Sequence, residues 1–345
     1  MTQRACVNVT DVFARLASTR GRLSFATHER GFDFWQAELR ERLVDLLRLP
    51  VLPTEPPPVD VVSCEDCGSY LREKIVMRAA DDLGVPAYLL RPARQDGPRP
   101  AMLAIHGHGP GKCIPVNLPP PDYDAAGIAE GERDYAVQAV AQGMIAVAPD
   151  LRGFGELMLE DEFSRQHGNS CTQLACRAAQ TGRNLLGMRI ADLMQLVDWL
   201  EARDDVDPAR ICTTGNSGGG TATLFLAAVD TRIAVAVPGC YFCTFQDSTL
   251  SIHHCPCNYV PDLSTHAEMY DIAGLVAPRP MLIVAGQDDD IFPIEGVQRA
   301  YGELQKIYAA ARAEQNVELY VGRGGHRYYK ERVWPFVADK LAAID

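Results

Sequence analysis

Gly215-Asn216-Ser217-Gly218-Gly219 sets one hydroxyl among glycines, between a strand-like run, "RICTTG" (210–215), and an apolar, helix-prone run, "TATLFLAA". The pattern G-x-S-x-G between a strand and a helix predicts a nucleophile elbow. Glycines at 215 and 219 relieve the crowding of so sharp a turn, and the serine is held in a strained backbone conformation with its hydroxyl exposed. A helix N-terminus beside it favours developing negative charge. A serine hydroxyl is a weak nucleophile without a base. In a chain of this type the order is nucleophile, acid, then histidine. Of the eight histidines, only His326, in "YVGRGGHRYY", follows the apolar run "MLIVAG" (281–286) after which the acid is expected. Asp288, Asp289 and Asp290 follow that run, and the residues alone do not choose among them.

An acyl-transfer intermediate also needs two backbone donors for its oxyanion. Gly218 N–H, after the nucleophile, is one. The second is expected from "HGHG" (106–109), where His108 contributes its main-chain N–H rather than its imidazole. Such a mechanism needs no cofactor and no metal. His106 and His108 as metal ligands are the weaker alternative to that use of the turn. "SIHHCPCNY" carries His253, His254, Cys255 and Cys257 at a spacing that fits no common zinc pattern, so it reads as a packed loop at the rim, with metal binding as the weaker alternative. Cys64 and Cys67 form one C-x-x-C without a second pair at zinc-ribbon spacing.

The elements that must position these residues are short apolar runs alternating with amphipathic segments. "KIVMRA" and "AYLLRP" form a hairpin across "ADDLGVP". Strands follow at "AMLAIHG", "IAVAPD", "RICTTG", "IAVAVPG", "MLIVAG" and "ELYVG". Alternation of this kind predicts an α/β fold, a mostly parallel sheet flanked by helices on both faces. The ends of its strands then bring "HGHG", "PDLRGFGE", "GNSGG" and "GQDDD" to one rim. Residues 11–49 read as helical, with Trp35, Leu39, Leu43, Leu46 and Leu47 on one stripe. The proline-rich "LPVLPTEPPPVD" then divides an N-terminal helical arm (1–58) from a catalytic domain (59–345). The apolar stripe of the arm must bury against something, either as a cap over the active site or as a contact between subunits of a homo-oligomer.

The chain has 345 residues and a net charge of −12, which argues against nucleic acid or an anionic membrane as partner. No apolar run reaches the length of a membrane helix, and the N-terminus lacks the pattern of a signal peptide. Eleven scattered cysteines, an odd number, fit reduced thiols and a cytoplasmic protein.

Taken with "LAIHGHG", "YAVQAVAQGMIAVAPDLRGFGE", "GRNLLGMRIADLMQLVDWL", "HHCPCNYVPDL" and "APRPMLIVAGQDDDIFP", these motifs resemble the α/β-hydrolase superfamily. More closely, they are similar to its acetyl xylan esterase-like branch, related to dienelactone hydrolases. The resemblance covers roughly residues 60–345. It implies G-x-x-D followed by a short apolar stretch and proline, which falls on Gly286, Asp289 and Pro293. Asp289 is thereby the expected acid, with Ser217 the nucleophile and His326 the base. It implies a serine esterase acting on a small ester, an acetyl or other short acyl ester. Dienelactone hydrolases use cysteine and haloalkane dehalogenases use aspartate at the nucleophile, so neither substrate is carried over to a chain with serine. A carbon–carbon bond hydrolase or a peptidase would use the same triad, and a non-catalytic binding protein would keep the fold without it.

Overall fold

A computed structural model describes residues 21–344 apart from 95, 122, 124 and 165–167, together with residues 8, 9, 12, 13 and 16. In chain order the elements are α1 (Phe32–Leu47), β1 (Val59–Asp66), β2 (Tyr70–Arg78), β3 (Gly84–Pro92), β4 (Arg99–Ile105), α2 (Ala126–Glu130), α3 (Tyr135–Ala141), β5 (Ile145–Pro149), α4 (Glu160–Ser164), α5 (Cys171–Gln180), α6 (Leu185–Glu201), β6 (Val206–Asn216), α7 (Gly218–Val229), β7 (Val235–Gly239), α8 (Leu263–His266), α9 (Met269–Gly274), β8 (Met281–Gly286), α10 (Ile294–Ala310), β9 (Val317–Gly322) and α11 (Lys330–Ala342).

The strands form one sheet in the order β1-β2-β3-β5-β4-β6-β7-β8-β9. The pairs β1–β2, β2–β3 and β3–β5 are antiparallel, and every pair from β5–β4 to β8–β9 is parallel. The parallel strands read as unbroken apolar runs because both faces are covered. In β4, Leu103 and Ile105 join the core under α6, α7 and α10, whereas Met102 and Ala104 join the core under α3 and α11. Two expectations need correction. The first strand, β1, carries no apolar run: as an edge strand it is exposed along nearly its whole length, so burial leaves no signature in its sequence. The continuous helix expected over residues 11–49 is broken between 21 and 31. There the amides of Arg22 and Leu23 bond the carbonyls of Thr265 and His266, and the Phe25 amide bonds Asp271 Oδ1, so tertiary partners replace helical ones. Most of that stretch before residue 21 lies outside the described residues.

The apolar stripe of α1 is spent inside its own chain. Trp35, Leu39, Leu43 and Leu47 are wholly buried in the larger core, and Arg40 bonds the carbonyls of Ala228 and Leu275. Among the described residues, no helix is long and apolar enough to cross a membrane.

Candidate active site

Ser217 stands between β6 and α7 with φ 59° and ψ −121°, a left-handed conformation that costs a non-glycine residue energy. Packing holds it there. The Ser217 amide donates to the Gly239 carbonyl of β7 at 2.8 Å, and its carbonyl accepts from Thr221 in the first turn of α7 at 2.9 Å. A Cβ at Gly215 would lie 2.4 Å from the Ile105 carbonyl oxygen, and one at Gly219 only 2.0 Å from it. Both positions are restricted to glycine by this close approach of the end of β4 to the turn.

The chain leaving β4 wraps over the turn. A Cβ at Gly107 would meet the Asn216 carbonyl at 2.6 Å, and one at Gly218 would lie 2.9 Å from His108 Nδ1 and 3.8 Å from the His108 amide nitrogen. This loop is tied to the segment after β5. His106 donates from Nδ1 to the Gly107 carbonyl and accepts the Leu151 amide at Nε2, 3.0 Å away. Both ring nitrogens are thus engaged, and burial pulls its pKa down to about 4, so His106 is a neutral structural ring. Lys112, 2% exposed, bonds Asp150 at 2.7 Å and Glu156 at 2.5 Å, while Asp150 also accepts the amides of Lys112 and Glu156. The motif "PDLRGFGE" therefore anchors the loop that carries His108.

Of the three adjacent carboxylates, Asp289 is buried, and Asp288 and Asp290 are exposed. Asp289 Oδ2 lies 2.8 Å from His326 Nδ1, and its Oδ1 accepts the amides of Ile291 and Phe292 at 2.9 and 3.1 Å. Burial alone would raise the carboxyl's pKa. The imidazole and the two amides outweigh it and hold the group below its ordinary value. The His326 ring stacks on Phe292, and its Nε2 is buried without a hydrogen-bond partner among the described residues. A buried ring nitrogen with no partner is costly unless a reacting group meets it.

Ser217 and His326 line the same cavity, about 300 Å³ in volume, with Gly107, His108, Arg133, His253, His254 and Cys255 among its walls. A larger groove of about 660 Å³, between Leu46, Ala175, Asn184 and Tyr259, includes neither Ser217 nor His326. The "HHCPC" segment forms one wall of the smaller cavity. Within it His254 bonds Ser248 Oγ at 2.9 Å, so it does not pair with the cysteines beside it. Cys257 turns the other way, 3.4 Å from His108 Nε2. Phe292, Arg133 and Tyr135 went unnoticed in the sequence. The apolar residues of "DDDIFP" were the available signal for Phe292; Arg133 and Tyr135 reach the cavity from the start of α3 and had none.

A model described as an Abhydrolase family matches residues 4–320. The chain belongs to the Abhydrolase family. The match starts at residue 4, so the region before β1 is part of what the family shares. A Bacillus subtilis (strain 168) protein named "Putative hydrolase YtaP" is 29% identical over 297 residues, 84% of this chain and 94% of that one. Among solved structures, a Bacteroides fragilis protein titled "putative acetyl xylan esterase" superposes with a TM-score of 0.79 at 22% identity, covering 93% of this chain and 84% of that one. A glucuronoyl esterase from Solibacter usitatus gives 0.69 at 14% identity, covering 94% and 97%. At those identities the likeness is one of fold: the α/β-hydrolase sheet with its flanking helices.

Proposed function

We propose that the protein is a serine esterase, with Ser217 as nucleophile, His326 as general base and acid, and Asp289 as the group that orients His326. The observation that carries this reading is the 2.8 Å Asp289–His326 bond combined with an unpartnered His326 Nε2 in a cavity that Ser217 also lines. With Asp289 accepting from Nδ1–H, Nε2 is left as the basic nitrogen. It takes the Ser217 proton as Oγ attacks the ester carbonyl. The tetrahedral oxyanion is held by the amides of Gly218 and His108. Collapse expels the alcohol, which leaves with the proton from His326. Water, deprotonated by the same nitrogen, then releases the acid and frees Ser217. Every charge that develops meets a protein group, so the scheme itself requires no cation.

One fold neighbour is named an acetyl xylan esterase, and the cavity is of small-molecule size. Both support a short-chain acyl ester, acetyl included, of a small molecule or sugar. The scattered cysteines support a cytoplasmic setting, where an enzyme meets small acylated molecules rather than polymer. An alcohol leaves more readily than an amine. A matched aryl acetate and acetanilide should therefore differ by about 10² or more in kcat/KM, about 2.7 kcal/mol, in favour of the ester. Equal Ser217-dependent rates on both would overturn the esterase reading. Failure of a fluorophosphonate probe to label Ser217 would overturn the nucleophile.

A further inference from the structure

Next to the triad lies a second cluster that the proposed chemistry does not use. His108, Cys171, Cys255 and Cys257 each offer a ligand atom, and these four atoms all lie within 4.8 Å of one another. They come from three remote parts of the chain: the loop after β4, the first residue of α5, and the "HHCPC" segment. Cys257 Sγ is 3.3 Å from Cys255 Sγ and 3.4 Å from His108 Nε2. A tetrahedron with zinc–sulfur bonds of about 2.3 Å and a zinc–nitrogen bond of about 2.0 Å has edges of about 3.5–3.8 Å. The observed spacings are of that size. They are far beyond the ~2.05 Å of a bonded sulfur pair.

Charge points the same way. Arg189, on α6, is 2% exposed and donates from Nη2 to Cys171 Sγ at 3.2 Å and to the Arg152 carbonyl. A buried guanidinium costs several kcal/mol unless it is paired. Three neutral thiols would give it nothing to balance. Three thiolates and a neutral imidazole around a divalent ion carry one net negative charge, which Arg189 neutralises. The ordinary reading of buried cysteines as small apolar side chains accounts for Cys212, which packs in the core, but leaves the Arg189 guanidinium with only the Arg152 carbonyl and the Phe154 ring as its other direct partners among the described residues.

We propose that His108 Nε2, Cys171, Cys255 and Cys257 bind one zinc ion, a closed four-ligand structural site. Its effect is to clamp the loop carrying His108 to α5 and to the wall of the cavity. His108 then contributes two things at once: its ring to the metal and its backbone to the rim around Ser217. Four protein ligands leave no position open for water, so the ion takes no part in ester cleavage. The expectation against metal rested on spacing along the chain, which is blind to Cys171 and to His108 as partners of the "HHCPC" cysteines.

The full-length protein, expressed in zinc-supplemented medium and passed over a desalting column, should carry about one zinc per chain by elemental analysis. Cys64→Ser, on the exposed edge strand, should retain it, and Cys171→Ala should lose most of it. Cobalt substituted into the wild type should show the intense visible bands of tetrahedral cobalt–thiolate coordination. Wild-type protein that neither carries zinc nor takes up cobalt with those bands overturns the proposal, and this result does not depend on any variant folding. Zinc retained in a folded Cys171→Ala chain overturns it too. So does a Cys255–Cys257 disulfide found by mass spectrometry in metal-free protein prepared without oxidant.

Discussion

Two constellations share one rim and are built in opposite ways. Ser217, Asp289 and His326 each stand directly after a strand, in a local motif that the backbone itself requires: the sharp turn after β6, the carboxylate turn after β8, the glycine-rich loop after β9. His108, Cys171, Cys255 and Cys257 stand in loops and at a helix start, with no local backbone reason to be cysteine or histidine. The first set is placed by the sheet and the second by the packing of loops on it. The difference predicts how each responds to mutation. Substitutions in the proposed triad should lose chemistry and keep the fold; substitutions in the proposed metal cluster should lose order first and chemistry as a consequence.

The largest effect expected is on the triad. Ser217→Ala and His326→Ala should each lower kcat by about 10⁴ or more with the melting temperature nearly unchanged, and the double variant should be little worse than either. Additive losses would mean that the two residues do not act as a unit. Asp289→Asn should cost about 10³–10⁴ in kcat, because an amide no longer selects the productive histidine tautomer. Asp288→Asn and Asp290→Asn, at exposed positions, should stay within a few-fold of wild type. A reversal of that ranking would break the assignment of the acid.

Gly218→Ala probes the seam between the two constellations. The new Cβ would press on the His108 ring at 2.9–3.0 Å, close to where the oxyanion would sit. A fall in kcat of up to about 10² with little change in KM is expected, in the range of losing one oxyanion donor. Unchanged kcat would show that the His108 loop moves aside freely and is not a fixed part of the site.

The smallest effect lies outside both constellations. Burial pushes the Glu268 carboxyl up to about 7, although the amides of Met269 and Phe245 pull it down, and burial pushes Asp271 up to about 6. Between the ordinary carboxyl range and these values the folded chain binds more protons than the unfolded one, so stability falls as pH rises through that window. For Glu268 alone the decline should be on the order of 3 kcal/mol between about pH 4.5 and 8. Denaturant melts of Glu268→Gln should show a flatter pH dependence than wild type, with the pH–rate profile for kcat left in place. A steeper dependence would reverse the sign of the argument.

How much of this was legible in the chain depends on the element. "MLIVAG" is the strand Met281–Gly286 to the residue, because a strand covered on both faces must be apolar throughout. The hairpin of "KIVMRA" and "AYLLRP" is likewise the pair β2–β3. Val59–Asp66 was missed because an exposed edge strand needs no pattern, and the helical reading of 21–31 failed because its amides found partners far away in sequence. Ser217 could be singled out because the turn around it demands glycine on both sides. His326 stood out by order, the last histidine after the acidic turn. For the acid, the three neighbouring carboxylates look alike by residue type, and only the resemblance to G-x-x-D pointed to Asp289; burial and the bond to His326 set it apart in three dimensions.

By itself, the sequence determined the alternation of strand and helix, and with it the sheet and the rim on which its loops gather, since apolar periodicity follows directly from burial. It also determined which hydroxyl sits in a turn too tight for side chains. Only the tertiary structure decided that the stripe on Phe32–Leu47 is used within its own chain, and that Asp289 rather than its neighbours reaches the imidazole. It alone brought Cys171 to His108 and to the two cysteines of "HHCPC". Contacts between residues remote in the chain carry no period and no spacing, because they are set by how loops pack once the sheet has formed.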